Sequence, residues 1–306
     1  MNRTPDEVVR EGPVLVAGGT GFIGRRLVAA LVATGREVRV MTRRPEDYDG
    51  PAVAVRGDVL QPACVRAAMT GCTHAYYLVH SLDRADFEDR DAQAARTFAE
   101  AADEAGLLQI VYLGGLGQDS DDLSPHLRSR RDVERILSSS QTPVTVLRAG
   151  IVIGHGGISW EITRQLVEHL PAMITPRWVT TLTQPIAVDD VISYLLGVLG
   201  NDSAKGGTFE IGGPDVLRYA DMLKRVAAIE RRPLPIFPVP LLTPRLSSLW
   251  LAFVTDVDPR SGRNLIDSMC NAVVVTDHSI RDVVPLQPMA YDDAVRAALA
   301  ERRAQR

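Results

Sequence analysis

The stretch VLVAGGTGFIG, residues 14–24, constrains the fold of this chain more than any other. A short apolar run ends abruptly in glycines, and apolar residues at helical spacing follow. The glycines match Gly18-x-x-Gly21-x-x-Gly24 and, counted from Gly19, the more common GxGxxG. They permit a tight turn, a close approach of the backbone to a pyrophosphate, and close packing of a helix on a strand. This order of strand, loop and helix predicts dinucleotide binding.

The helix after the loop adds an electrostatic reason to place a phosphate there. Its first N–H groups lack partners within the helix, and its positive dipole end stabilises an anion by roughly 0.3–1 kcal/mol at an exposed site. A purely structural glycine turn is the alternative interpretation. We expect a dinucleotide to contact the loop and the first helical turn, namely Gly18, Gly19, Thr20, Gly21, Phe22, Ile23 and Gly24.

Composition and charge exclude several classes of function. The chain has 306 residues, 45% of them hydrophobic, and a net charge of −4. This charge gives no electrostatic reason to expect a nucleic-acid partner. The three cysteines lack metal-ligand spacing, and their odd number argues against a disulfide framework. Residues 1–12 lack the apolar core of a signal peptide, and glycines and arginines interrupt the apolar stretch 14–33, so we expect a cytoplasmic protein without membrane insertion.

Apolar strands alternate with helical segments over the first half of the chain. This alternation is typical of a parallel sheet covered by helices on both faces. We therefore predict an α/β fold, a doubly wound parallel Rossmann-type sheet over residues 1–175 with a smaller C-terminal substrate lobe over 176–306. The strands expected near residues 186 and 208 belong either to this lobe or to the main sheet.

Three helices next to this sheet have predicted bounds. Apolar residues at helical spacing predict a helix over about 84–105, which Gly106 ends. A second helix is expected over about 126–139. Asp189 is expected to cap a third helix that runs to about residue 199.

Seven short motifs occur in a characteristic order between residues 13 and 240. In that order they resemble the short-chain dehydrogenase/reductase superfamily, in its extended and atypical branches, which include NAD(P)H-binding, NmrA-like and sugar-nucleotide-epimerase-like proteins. The resemblance implies a Rossmann-type fold and a nicotinamide cofactor. The motifs that carry it are GGTGFIG (18–24), GDV (57–59), YLVHS (77–81), VYLGG (111–115), LRAGI (147–151), IAVDD (186–190) and FEIGG (209–213).

The resemblance also implies further cofactor contacts. Asp58 and Val59 would contact the adenine, although a turn residue after Gly57 is the alternative interpretation of Asp58. The backbone after the fourth strand would run along the ribose and pyrophosphate, and the turn after the sixth strand would lie near the nicotinamide. These two segments are Val79, His80 and Ser81, and Ala149, Gly150 and Ile151.

The end of the second strand indicates which nicotinamide cofactor binds. An NAD-specific site usually places an acid there to bond the ribose hydroxyls, but this chain has Arg43 and Arg44. A guanidinium group pairs bidentately with a phosphate, and each charged hydrogen bond contributes roughly 1.5–3 kcal/mol. One or two such bonds would favour NADP over NAD by about 10- to 100-fold or more. We expect NADP(H), with two solvated surface arginines as the alternative.

The catalytic pair of the superfamily is missing. Members of the superfamily use Tyr-x-x-x-Lys, but the two lysines, Lys205 and Lys224, have no tyrosine four residues earlier. Aligning Ser129 with the serine of Tyr-x-x-Ser-Lys places His126 at the tyrosine and Arg130 at the lysine. Four residues apart on one helical face, they could act as proton donor and electrostatic clamp, since histidine has an ordinary pKa of about 6.5. A solvated helix start is the alternative, and the other candidates are His80, Ser81, Tyr112 and His155.

Together these features predict an NADP(H)-dependent oxidoreductase that acts on a small-to-medium, rather apolar molecule. No residue spacing suggests a metal site, and the oligomeric state is left open. A non-catalytic, NmrA-like redox-sensing regulator is the first alternative, and a sugar-nucleotide epimerase or dehydratase is the second. The apolar character of the substrate is inferred from Trp178, Leu246, Leu249, Trp250 and Phe253.

Overall fold

The structure, a computed structural model, describes residues 12–81, 84, 86–117, 123–175, 177–238 and 268–305. The strands within these residues are β1 (Val14–Ala17), β2 (Val38–Thr42), β3 (Val53–Arg56), β4 (His74–Tyr77), β5 (Gln109–Gly115), β6 (Val144–Ala149), β7 (Val152–Ile153), β8 (Met173–Thr175), β9 (Leu182–Thr183), β10 (Ile186–Ala187), β11 (Thr208–Ile211), β12 (Leu217–Arg218) and β13 (Ile236–Pro238). The helices are α1 (Phe22–Ala33), α2 (Pro62–Met69), α3 (Phe87–Ala105), α4 (Pro125–Ser138), α5 (Ile158–His169), α6 (Val188–Val198), α7 (Tyr219–Ile229), α8 (Ile280–Val283) and α9 (Tyr291–Ala304), with 3-10 turns at Pro45–Asp47 and Arg177–Thr180.

Seven of these strands form one parallel sheet in the order β11-β6-β5-β4-β1-β2-β3. The chain winds outward from β1 in both directions, so the order of the strands reverses between β1 and β4. At such a reversal the flanking connections separate and leave a crevice beyond the carboxyl ends of the strands. The predicted α/β fold with a doubly wound Rossmann-type sheet is confirmed.

The strands predicted near residues 186 and 208 belong to two different sheets. Strand β11 extends the main sheet, where Phe209 pairs with Leu147 of β6. Strand β10 pairs instead with β7, where Ile186 lies opposite Val152. The main sheet therefore receives a strand from beyond residue 175.

Strand β1 shows why helices cover both faces of the sheet. Its alternate side chains point to opposite faces, and all four of its residues are buried. Val14 and Val16 pack in the same cluster as residues of α1 and α6. Leu15 and Ala17 pack with α2, α3 and α4 on the other face.

A second core lies outside the main sheet and includes α5, which falls within the predicted range 1–175, together with α7 and α9. We call these three helices the lobe, and the lobe is tied to the glycine-loop helix. Fully buried Trp160 of α5 packs among residues of α7 and α9. Arg26 of α1 forms an ion pair with Glu301 of α9 and donates to the His155 carbonyl oxygen at 2.9 Å. These contacts fix the lobe against the helix that follows the glycine loop.

Two predicted helix starts were wrong. Helix α6 begins at Val188, directly after β10, with Ala187 as N-cap and no capping side chain. Asp189 therefore lies inside the first turn and does not act as a cap. Its negative charge there interacts favourably with the positive end of the helix dipole. Helix α3 begins at Phe87, a few residues later than predicted. Among the described residues, no helix has both the length and the apolar character needed to cross a bilayer.

Candidate functional site

The glycine loop brings the backbone of β1 and α1 into contact. Gly18 has φ +88°, a conformation that glycine adopts most readily. A Cβ atom on Gly24 would overlap the Gly18 carbonyl oxygen and would lie 2.7 Å from Gly19 Cα. Gly21 is the N-cap of α1, and neither a capping side chain nor an acidic residue satisfies the first turn. This bare, amide-lined turn is a cradle into which a diphosphate fits.

Two cavities of about 280 Å³ each adjoin at this loop, and both are lined by Gly18 and His80. We call them the polar cavity and the apolar cavity. The polar cavity is lined by Gly18, Thr20, Met41, Thr42, Arg43, Arg44, Gly57, Asp58, Val59, Leu60, Val79, His80, Ser81, Arg84, Arg90 and Ala94. The apolar cavity extends along α1 toward α4 and the lobe and is lined by residues that include Phe22, Ile23, Leu113, Leu116, His126, Leu127, Arg130, Ala149, Gly150, Ile151, Ile158, Met269 and Val273.

The polar cavity holds the predicted cofactor residues that follow β2, β3 and β4. Arg44 lies 3.3 Å from Asp47 in an exposed ion pair, whereas the exposed Arg43 side chain has no ion-pair partner among the described residues. Asp58 lines the cavity and also accepts a 3.0 Å hydrogen bond from the Leu60 N–H, as the turn interpretation expects. Its carboxylate thus orders the loop that forms this wall.

The structure places His126 and Arg130 in the apolar cavity, one turn apart on α4. Ser124 caps α4 by accepting from the Leu127 N–H at 3.3 Å, which orients the turn that carries His126. A Cβ atom on Gly115 would lie 3.0 Å from Leu127 Cδ2 and 3.6 Å from Arg130 Cγ. The absence of a side chain at Gly115 therefore makes room for α4 to pack against β5. Both site side chains are half-buried rather than solvated.

The protonation of the two histidines differs from the sequence-based expectation. Burial, reinforced by the Arg130 charge, lowers the pKa of His126 to about 3. The His80 side chain is accessible from the cavities. Desolvation by the surrounding protein lowers its pKa well below the ordinary value, and the charges of Arg130 and His126 lower it further. Both imidazoles are neutral near pH 7, which corrects the expectation of His126 as a proton donor with an unperturbed pKa. As a neutral group it can still donate one hydrogen bond.

The remaining candidates have other partners or lie outside the described residues. The buried Tyr112 hydroxyl donates to the Arg130 carbonyl oxygen at 3.2 Å. His155 Nδ1 lies 3.0 Å from a Glu161 oxygen, in the ion-pair cluster of α5. The Trp178 side chain and Leu246, Leu249, Trp250 and Phe253 lie outside the described side chains.

The sequence reasoning missed a buried carboxyl group behind the site. Asp91 of α3 is 3% exposed. Its pKa is raised by burial, against hydrogen bonds from Ser81 and the charge of Arg130. Tyr77, whose buried hydroxyl has no partner among the described residues, has a pKa raised by burial and by Asp91. Asp91 interrupts the apolar stripe between Phe87 and Ala94, and a charge within such a stripe is a signal that could have identified it.

Other lining residues were also missed. Arg84 and Arg90 add two guanidinium groups to the polar cavity. Ser159, Tyr219 and Ser268 also line the apolar cavity. No spacing pattern indicates the last three, since only the folded chain brings their segments together with α1 and α4.

Comparisons with known proteins match this chain to one family model and to named relatives. A family model described as NAD(P)H-binding matches residues 18–177, just over half of the chain. A protein of Arabidopsis thaliana, NADH dehydrogenase (ubiquinone) 1 alpha subcomplex subunit 9, mitochondrial, is 24% identical over 90% of this chain and 75% of its own. Photosystem II assembly factor Ycf39 of Trieres chinensis is 23% identical over 86% of this chain and 81% of its own.

Solved structures show the same fold at lower identity. A nucleoside-diphosphate-sugar epimerase of Staphylococcus aureus superposes with a TM-score of 0.77 at 12% identity, over 92% of this chain and 99% of its own. The triphenylmethane reductase of a Citrobacter species, complexed with NADP(H), superposes with a TM-score of 0.76 at 14% identity, over 93% and 99%. At these identities the likeness shows the fold alone.

Two glycine substitutions should separate folding from cofactor binding. Gly24→Ala places a methyl group into the Gly18 backbone, so the variant should be destabilised by several kcal/mol and bind no dinucleotide. In Gly21→Ala the new Cβ meets only the Gly18 oxygen, at 3.4 Å, so the fold should persist while binding weakens about tenfold or more, because the methyl group keeps the diphosphate away from the backbone. Thermal unfolding and calorimetric titration with NADPH and NADH check both; equal stability of the two variants would contradict the assigned contact.

The lowered pKa of His126 predicts acid destabilisation. Its imidazole is neutral in the fold and charges near pH 6.5 when unfolded, so its contribution is full above pH 6.5 and is lost as pH falls toward about 3. The free energy of unfolding should fall by at most about 1.4 kcal/mol per pH unit from this group. Urea unfolding at pH 7 and pH 5 should show a smaller loss in His126→Gln than in the wild type, and the exposed His278→Gln should behave as the wild type. Identical pH dependence in all three proteins would be inconsistent with the shift.

Proposed function

This chain belongs to the NAD(P)H-binding family, and we propose that it is an NADP(H)-dependent oxidoreductase of the atypical short-chain dehydrogenase/reductase class. The observation that carries the proposal is the pair of cavities that adjoin at the glycine loop. One suits the adenosine half of a dinucleotide and the other suits the nicotinamide half with a substrate beside it. A cytoplasmic location is part of the same proposal.

The preference for NADP(H) rests on the charges at the end of β2. Arg43 and Arg44 line the polar cavity, and the nearby acids Glu46 and Asp47 form exposed pairs with Arg56 and Arg44. No described carboxylate at this strand end is left to accept the ribose hydroxyls in the manner of an NAD site. A 2′-phosphate could instead accept charge-assisted hydrogen bonds from the Arg43 guanidinium, which has no ion-pair partner among the described residues.

The proposed roles of His126 and Arg130 follow from their charges. Bound NADPH supplies a hydride to the substrate. Arg130, which stays charged, stabilises the negative charge that develops on the reduced group. His126, kept neutral by burial, orients that group by donating a hydrogen bond. Since neither residue supplies a proton readily near pH 7, the site best suits an activated alkene or a carbonyl whose reduced, negatively charged form takes its proton from water.

The walls of the apolar cavity support an apolar substrate of small to medium size. Beyond the glycine loop its lining is mostly aliphatic and comes from β5, α4, α5 and the region after residue 268. Burial of such walls by an apolar ligand contributes roughly 25 cal/mol per Å². The residues are Leu113, Leu116, Leu127, Ile158, Met269 and Val273.

A second candidate function is a non-catalytic NADP(H)-binding regulator that senses redox state. The missing Tyr-x-x-x-Lys pair favours it, as does the neutral state of both cavity histidines. Two relatives carry the names of a respiratory-complex subunit and of an assembly factor, which is consistent with a role in binding partners. An epimerase or dehydratase is less well supported, because that chemistry in the superfamily relies on the missing pair.

The cofactor preference predicts the behaviour of two variants. Arg43→Gln and Arg44→Gln should each weaken NADPH binding by about 10-fold and leave NADH binding within about 2-fold, because only NADPH carries the 2′-phosphate. Calorimetric titration measures both affinities. The exposed Arg135→Gln, which lies on α4, serves as a charge-matched control. Equal affinity of the wild type for NADPH and NADH would refute the NADP preference.

Turnover separates the enzyme from the regulator. Protein with NADPH should lose the 340 nm absorbance of the cofactor when offered a library of carbonyls, enones and imines. Arg130→Gln should lower kcat by about 100-fold or more, whereas Arg135→Gln should retain the wild-type rate. Tight NADPH binding without turnover across the library would favour the regulator, and unchanged kcat in both Arg130→Gln and His126→Ala would refute the roles given to these residues.

A further inference from the structure

Two arginines of the polar cavity play no part in the function proposed above. Arg84 precedes α3 and Arg90 lies in its first turn, whereas Arg43 and Arg44 follow β2. Strands β4 and β2 flank β1 on opposite sides, so the two pairs of arginines approach the cavity from opposite sides of β1.

The charges that line this cavity are strongly unbalanced. Among the charged described residues in its wall, four are arginines and one is an aspartate. That aspartate, Asp58, already accepts the Leu60 N–H. The diphosphate lies at the glycine loop in the proposed complex. The excess of positive charge in this cavity therefore favours a ligand with a further anionic group besides the diphosphate.

Within the described part of the chain, the only ion pair of the Arg90 side chain is a long one with Asp86. Its Nη1 lies 3.9 Å from Asp86 and Arg84 Nε lies 3.6 Å from the same carboxylate, both too long for hydrogen bonds. Arg90 Nε is buried and has no hydrogen-bond partner among the described residues. A buried donor without an acceptor is costly, and an anion in the cavity would remove that cost.

The face of α3 that carries Arg90 is turned toward the cavity. Arg90 and Ala94, four residues apart on one face, both line it. Asp91, the next residue, is 3% exposed, so α3 packs firmly against the sheet at this point. The Arg90 guanidinium therefore projects from a fixed helix rather than from a loop.

We propose that Arg90 is a specificity residue that contacts the 2′-phosphate of NADP(H) from the side of β1 opposite to Arg43. The inference rests on the proposed NADP(H) dependence. Two guanidinium groups on opposite walls would hold the phosphate as a clamp, each through charge-assisted hydrogen bonds. Discrimination against NADH then depends on α3 as well as on the loop after β2.

Binding of NADPH, NADH, 2′,5′-ADP and 5′-AMP to Arg90 variants tests the clamp. Arg90→Gln should weaken NADPH and 2′,5′-ADP about 10-fold and leave NADH and 5′-AMP within about 2-fold. Arg90→Lys, which keeps the charge but loses the planar fork, should fall between these values. The exposed Arg96→Gln on the same helix should bind all four ligands as the wild type does. Thermal unfolding shows whether each variant is folded. If Arg90→Gln does not fold, the affinities of Arg90→Lys still test the proposal.

A double-mutant cycle adds an independent readout. If Arg43 and Arg90 grip one phosphate, the losses in Arg43→Gln/Arg90→Gln should depart from additivity by a factor of at least about 2, whereas separate contacts should add. Unchanged NADPH affinity in Arg90→Gln would overturn the inference, and an equal loss for NADPH and NADH would assign Arg90 to the diphosphate instead. A wild type that does not prefer NADPH would refute the proposed cofactor preference itself, so the two failures are distinguishable.

Discussion

The contact between the backbones of Gly18 and Gly24 is the constraint on which the rest of the structure depends. With no side chain at Gly24, α1 lies against the end of β1, and its first amides point into the crevice beside the strand reversal. The same seating allows Leu27, Val28 and Leu31 to be fully buried on one face of the sheet. Arg26 then connects α1 to the lobe through Glu301.

The distribution of charge along the cleft follows from this frame. Guanidinium groups stand at both ends, and the histidines near the junction are kept neutral by the protein around them. Arginine keeps its charge at any physiological pH, so the electrostatic field that these guanidinium groups produce in the cleft does not change with pH. The proposed hydride transfer would depend on positioning and on this fixed charge, with little help from an acid.

Much of the site could be predicted because its residues follow strands that the hydrophobic pattern identifies. Arg43 and Arg44, Asp58 and the turn at Ala149 all come directly after such strands, and carboxyl ends of parallel strands meet at one edge of the sheet. Arg90 could not be assigned in the same way. Its role depends on which other segments face its side of α3, whereas Asp91 is visible in the sequence as a charge within the apolar stripe of that helix.

The sequence by itself determined the parallel α/β sheet, the glycine turn and the class of cofactor, because these depend on local spacing and on backbone freedom at a few glycines. Only the tertiary structure decided that strand 208–211 completes the sheet, that His126 is neutral, and that four arginines share one cavity. Strand pairing, desolvation and the convergence of charges are properties of distant segments packed together. Their energies depend on three-dimensional neighbours that no spacing along the chain encodes.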